Sequence, residues 1–234
     1  MVWGMALPSG LGDFFPDGSY VGWREYLNAY FLEKMASEQK ARFSDGSAST
    51  YRRYVSEKFI NEPGSKRSPD VPAFGPIEGH EAPKRFETEK SYSSLGSLVM
   101  LNDRILAVDA SLKDIIERYE AGKHHFFPIE IVMPKKVIYP NSYFVMAIGQ
   151  YLDSFSPQQS DPASWNQQSL GYCSFVESKK SMSGLALSSN KFGGAHLWRE
   201  RRMSNPLICF SDYLMSEIEN LGQRLPKHYQ MRAV

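Results

Sequence analysis

Ile208 to Gly222, ICFSDYLMSEIENLG, holds a strand, a cap, a helix and a stop within fifteen residues. Leu207 to Phe210 is an apolar run of strand length, and the Ser211 hydroxyl stands where it can accept from the free N–H groups of a helix's first turn. Leu214, Ile218 and Leu221 recur at i, i+4 and i+7 and share one face, with Glu217 and Glu219 off it. Gly222 can take the left-handed conformation that ends the helix.

Ile105 to Gly122, ILAVDASLKDIIERYEAG, follows the same plan. The apolar strand ends at Val108, Asp109 or Ser111 can cap, Ser111 with Asp114 resembles a capping box, and Leu112, Ile115, Ile116 and Tyr119 form the stripe. A shift of 102 positions places Leu112 on Leu214, Ile116 on Ile218 and Glu117 on Glu219. Three identities are no more than any two strand-cap-helix units would share, but two such units are enough to organise one core.

A chain of 234 residues can bury a substantial core without disulfide staples. Hydrophobic content of 42% with 23% charged residues suits a folded soluble chain. The net charge of +1 argues against a general nucleic-acid binder. The basic clusters Lys135 with Lys136, Lys179 with Lys180, and Arg199 with Arg201 and Arg202 read as solvated surface. Cys173 and Cys209 lie in strand-like apolar surroundings and read as reduced core thiols. No run of residues is apolar enough to span a membrane. The start, MVWGMALPSGLGDFFPDG, has no basic leader and is broken by Pro8 and Gly10, so the chain is expected in the cytosol.

Met1 to Ser19 reads as an irregular arm anchored by Trp3, Phe14 and Phe15, and Tyr20 to Lys40 as one helix with Trp23, Leu27, Tyr30, Phe31 and Met35 along its apolar stripe. Tyr51 to Ile60 is a short helix or a strand. Residues 61–90 hold five prolines and three glycines among many charges, an extended linker or long surface loop. Strands are expected at 95–100, 104–108, 126–133, 137–139, 143–150, 171–176, 184–187, 196–199 and 229–231. The expected fold is α+β: a mixed, mostly antiparallel sheet with helices packed on one face, plus an N-terminal helical extension. The expected divisions are 1–60 as arm and helical region, 61–94 as linker or long loop, and 95–234 as the α+β domain.

Sequence motifs for catalysis are not in evidence. Phe192-Gly193-Gly194 precedes a strand and reads as a turn, not a phosphate cradle. His124 and His125 are adjacent, neither cysteine has a near partner, and no G-x-S-x-G occurs, so neither metal nor cofactor is expected. Distant groups such as Glu130 or Glu177 with His196 could still converge. The feature that points to a partner protein is Trp165, a large aromatic inside the polar stretch SPQQSDPASWNQQS. It either anchors an interface, with Asp153, Asp161 and Glu177 supplying local negative charge, or folds back to tether its own loop.

The order of these elements, with Phe127-Pro128, Tyr143, Asp153, AHLWRE at Ala195 to Glu200 and ICFSDYL, resembles immunity protein family eleven of bacterial polymorphic toxin systems over roughly Leu95 to Val234. The first ninety residues carry no such resemblance. It implies a protein that binds and neutralises a cognate toxin, a nuclease or another effector acting in the cytosol, and it implies no catalysis. Trp198 and Arg199 match the family pattern as structural positions. Two other classes stay open on the residues alone: an enzyme with scattered catalytic groups, and an adaptor module.

Overall fold

The computed structural model describes residues 1–168, 171–203 and 207–234. In chain order the strands are β1 (Val2–Met5), β2 (Gly18–Tyr20), β3 (Arg85–Thr88), β4 (Leu98–Met100), β5 (Leu106–Asp109), β6 (His125–Met133), β7 (Val137–Ile138) and β8 (Tyr143–Ala147). They continue as β9 (Tyr151–Leu152), β10 (Trp165–Gln167), β11 (Cys173–Phe175), β12 (Ala186–Leu187), β13 (Leu197–Glu200), β14 (Ile208–Ser211) and β15 (His228–Ala233). The α-helices are α1 (Trp23–Ala29), α2 (Ser37–Lys40), α3 (Ala48–Lys58), α4 (Ala110–Tyr119), α5 (Lys179–Ser183), α6 (Ser189–Phe192) and α7 (Asp212–Asn220).

The fold is α+β, and the strands divide between two large sheets rather than one. The first runs β2-β3-β6-β8-β5-β4 with β7 also on β6; the second runs β12-β15-β1-β14-β13-β9; β10 and β11 form a separate ribbon. Pairing is antiparallel except for β3 with β6, β12 with β15 and β9 with β13.

The 102-residue offset holds for the strand, its cap and its helix start. β5 maps onto β14, the cap Asp109 onto the cap Ser211, and α4 onto α7. Asp109 accepts from the Leu112 amide at 2.8 Å and Ser211 from the Leu214 amide at 3.1 Å, so Asp109 rather than Ser111 is the first cap. Gly122 and Gly222 take φ of +70° and +65° just beyond the helices. Both helices return through a strand, β6 or β15, that lies one position away from its parent. In the first sheet β8 fills the gap, antiparallel to both neighbours. In the second the gap is filled by β1, from the other end of the chain. Val2–Met5 is therefore an internal strand, which corrects the irregular arm expected there.

Alternation along the strands decides which core each side chain enters. Leu106 and Val108 join a core shared with Leu112, Ile115, Ile116, Leu214, Met215, Ile218, Met5, Ile208 and Phe210, while Ala107 turns to the opposite face. The helices α4 and α7 thus lie against both sheets at once. Leu221, expected in the α7 stripe, is exposed, and Met215 takes a place in the core. The opposite face of the first sheet is covered by α1, α3 and the segment leading to β3, so helices pack on both of its faces. The outer face of the second sheet is covered by α5 and by Phe155, Leu185 and Met203 from loops.

The helix expected over Tyr20 to Lys40 is interrupted. After α1 the chain widens into a π-turn at Tyr30–Lys34, and Met35 and Ala36 are extended before α2. Residues 61–84, read as linker or loop, bury Val71, Phe74, Glu81 and Ala82, and β3 follows them into the first sheet. Strand pairing therefore runs across the divisions read from the sequence. Pro128 sits inside β6 at no cost to the ladder. The Glu130 amide donates to Lys84 O just before β3, and Ile131 O accepts from Tyr139 on the other side, so the Pro128 nitrogen faces the flank beyond the start of β3.

Deleting Met1–Ala6 removes Val2, Met5 and part of Trp3 from water-free sites and leaves two ladders unpaired, a loss of roughly 5 kcal/mol from burial alone. The expected result is a fall in melting temperature of about 10 °C or more, measured by circular dichroism. A shift within two degrees or so would show that β1 is dispensable.

Candidate partner-binding surface

Two buried carboxylates look at first like catalytic groups. Glu120, the residue that closes α4, accepts from His124 Nε2 at 2.7 Å, Gln150 Nε2 at 2.6 Å, the His196 amide at 2.6 Å and the Leu197 amide at 2.9 Å. The Gly149 amide points at His124 Nδ1 from 3.2 Å, which makes that nitrogen the acceptor and puts the imidazole proton on Nε2, toward Glu120. The approach is close enough that a Cβ on Gly149 would stand 1.9 Å from Lys123 O. Burial works against the ionised form of Glu120, but these donors outweigh it and hold the carboxyl below its usual range. The pair is sealed, with the His124 side chain at 0% exposure, so its chemistry is to join the end of α4 to β13.

Glu200 is the second. One oxygen takes the Ser154 amide at 2.8 Å, the Ser154 hydroxyl at 2.5 Å and the Phe155 amide at 3.0 Å, and the other takes the Arg202 amide at 3.1 Å. Here burial wins and pushes the carboxyl up. Arg199, expected among solvated charges, is buried instead, and burial lowers its pKa. It reaches Phe59 O at 3.4 Å, fastening β13 to the end of α3. Trp198 stacks on Phe192 with ring centres 5.0 Å apart and donates to Ser154 Oγ at 3.2 Å. A third internal pair, Lys58 with Glu81, holds the incoming loop onto α3, with Lys58 Nζ 2.6 Å from Glu81 Oε1.

The convergences expected of Glu130 or Glu177 with His196 do not occur. Glu130 pairs with Arg85 at 3.2 Å, Glu177 accepts from the Leu7 amide at 3.0 Å, and His196 Nδ1 faces Ser211 Oγ at 2.8 Å. His80 lies 3.2 Å from exposed Glu78, and the histidine that meets a buried glutamate is His124, four residues from Glu120, a spacing visible in the sequence but broken by the Gly122 turn. No group of three or more His, Cys, Asp or Glu is placed to hold a metal among the described residues. Cys173 and Cys209 are free and buried, and burial raises both thiols.

The four residues singled out for partner contact lie around the ribbon and its approach. Trp165 opens β10 opposite Phe175 and sets its ring edge-on to Phe155, with centres 5.4 Å apart. It is half-buried and tethers its own loop, with its indole Nε1 buried and without a hydrogen-bond partner. Asp153 is exposed beside Arg202 at 3.7 Å, and Asp161 beside Arg232 at 3.5 Å. Glu177 follows the ribbon, next to Val176, whose side chain is 65% exposed, and near Tyr172 at 47%. Each of the three carboxylates has a different neighbour.

Residues 41–231 match the model of an immunity protein family, Imm11. The chain belongs to the Imm11 family. The match extends the resemblance read from the sequence by more than fifty residues toward the N-terminus, taking in α3, the 61–84 segment and β3. It leaves β1, β2 and α1 outside. No curated protein matches the chain. None of the described helices is long and apolar enough to cross a membrane.

The two buried carboxylates respond to pH in opposite directions. Glu120, with its folded-state pKa depressed, contributes stability that is present above about pH 4.3 and lost as pH falls through the folded-state value. Glu200, with its pKa raised, contributes stability that is present below that range and lost as pH rises through its folded-state value. In melts from acid to neutral pH, the cost of Glu120→Gln should shrink on acidification and that of Glu200→Gln should grow. Parallel profiles would refute the assignment.

Proposed function

We propose that this Imm11 protein neutralises a cognate toxin by direct, stoichiometric contact, and transforms nothing itself. The observation that carries the reading is the family match over most of the chain. It is supported by the use to which the histidine–glutamate pair is put: its hydrogen-bonding capacity is spent inside the fold, on backbone amides and a glutamine, with no open face for a substrate. The toxin acts in the cytosol, where this chain resides, as a nuclease or another cytosol-acting effector.

Contact on this reading includes the ribbon side. Trp165 supplies a partly exposed aromatic anchor already held by Phe155, so little rotamer freedom is lost on binding. Asp153, Asp161 and Glu177 add acidic groups that steer and register a basic patch on the toxin. Exposed Val176 and Tyr172 add apolar area.

Co-expression with a cognate toxin tests the function: growth should return only when the inhibitor reaches about one copy per toxin. Full protection far below that ratio would identify an enzyme. Trp165→Ala should weaken the complex by roughly 10- to 100-fold, the range of an interface anchor, in a calorimetric titration. Unchanged affinity in a folded variant would remove Trp165 from the interface.

A further inference from the structure

Far from the ribbon, the faces of α1 and α3 diverge into a cleft of about 480 Å³ above the Asn102–Asp103 turn. Three guanidinium groups line it: Arg24 from α1, and Arg52 and Arg53 from α3. Arg52 is half-buried and held in place, donating to Asn28 Oδ1 at 2.9 Å and toward Ser49 Oγ at 3.5 Å. Arg24 and Arg53 are exposed and form no ion pair among the described residues. The walls are fixed: Trp23 Nε1 donates to Glu81 O at 2.8 Å and the Tyr20 hydroxyl to Asn102 O at 3.0 Å. Fixed walls around three cations, of which Arg24 and Arg53 form no ion pair among the described residues, make a preorganised anion receptor.

We infer that this cleft receives carboxylates from an acidic segment of the toxin, an inference that rests on the immunity reading above. A guanidinium fork takes a carboxylate with two parallel hydrogen bonds, and the cleft has the volume of a small-ligand site, room for a few acidic side chains. Glu25 and Asp103 also line it. They leave a net charge of only +1 from five ionised groups, which disfavours a dense polyanion such as nucleic acid while a single carboxylate can settle between arginines. Position relative to the family match points the same way. Arg52 and Arg53 fall inside residues 41–231 and Arg24 falls outside. A cleft with one wall inside the family match and one outside it is suited to telling a cognate partner from a related one.

The test uses the full chain and the Arg24→Glu/Arg53→Glu variant, both confirmed folded by thermal melts within a few degrees of each other. Binding of a hexaglutamate peptide at low salt is followed by the Arg side-chain NMR signals, with inorganic phosphate and a ten-nucleotide single strand as competitors. The expected result is saturable peptide binding at Arg24, Arg52 and Arg53, at least tenfold weaker in the variant, and loss of toxin protection by that variant. Equal or tighter binding of phosphate or the oligonucleotide, or peptide binding indifferent to the charge reversal, would overturn the inference. Full protection by the variant would overturn it too while leaving the immunity function standing. Failure of the unaltered protein to protect would instead sink the function on which it rests.

Discussion

The structure depends on burying two amphipathic helices at once. α4 and α7 each carry a narrow apolar stripe, Leu112, Ile115 and Ile116 on one and Leu214, Met215 and Ile218 on the other, and neither stripe can be covered by its own four-residue parent strand. Setting the helices side by side, between matching faces of two sheets, covers both with one core. The arrangement demands that each sheet present a continuous apolar face beneath its helix, and continuity requires a strand in the gap between parent and return strands. In the first sheet β8 is near in sequence. In the second the gap is filled by β1, more than two hundred positions away in sequence.

Joining sheets through helices leaves the polar ends of those helices near buried backbone, and Glu120 resolves this. Its carboxylate stands where α4 runs out and takes amides from the first turn of β13, a side-chain amide from Gln150 and the His124 ring. A charge inside the fold is tolerable because its oxygens are met by four donors. Glu200 is also met by four hydroxyl and amide donors, but there burial prevails, with the nearby Asp153 charge adding to it. The same residue type, two strands' ends apart, therefore titrates in opposite directions for reasons visible in the geometry.

What was legible in the sequence was local. Ser211, the i, i+4 stripe and Gly222 specify strand, cap, helix and stop without reference to anything distant, and the 102-residue offset between units survives intact in three dimensions. β1 was not legible because its four residues, VWGM, gain strand character only from pairing more than two hundred positions away. The break after α1 escaped a periodicity argument because the apolar side chains of Tyr30, Phe31 and Met35 still reach the core through a widened turn. Arg199 read as surface because a charged residue in a basic cluster is ordinarily solvated. Its burial depends on Phe59 and Tyr151, which no local pattern brings near it. The candidate contact residues are harder still, since an interface is specified by its partner: Trp165 was found by its polar context, whereas the arginine cleft is assembled from α1 and α3 and from a turn about fifty residues beyond α3.

A protein that works by occupancy needs stiffness where it is touched, and this chain keeps its polar interactions in two distinct registers. Interior charges, Glu120, Glu200 and Lys58 with Glu81, are consumed in holding elements together, while buried Arg199 reaches Phe59 O and keeps its Nε without a hydrogen-bond partner. Surface charges around the ribbon and in the cleft are placed by those same elements yet remain unsatisfied or only loosely paired. The chain's net charge of +1 is compatible with acidic residues near the ribbon and an arginine cleft on one scaffold. Recognition by such a surface rewards a partner whose own charges alternate in the matching order, and penalises one that is uniformly basic or uniformly acidic.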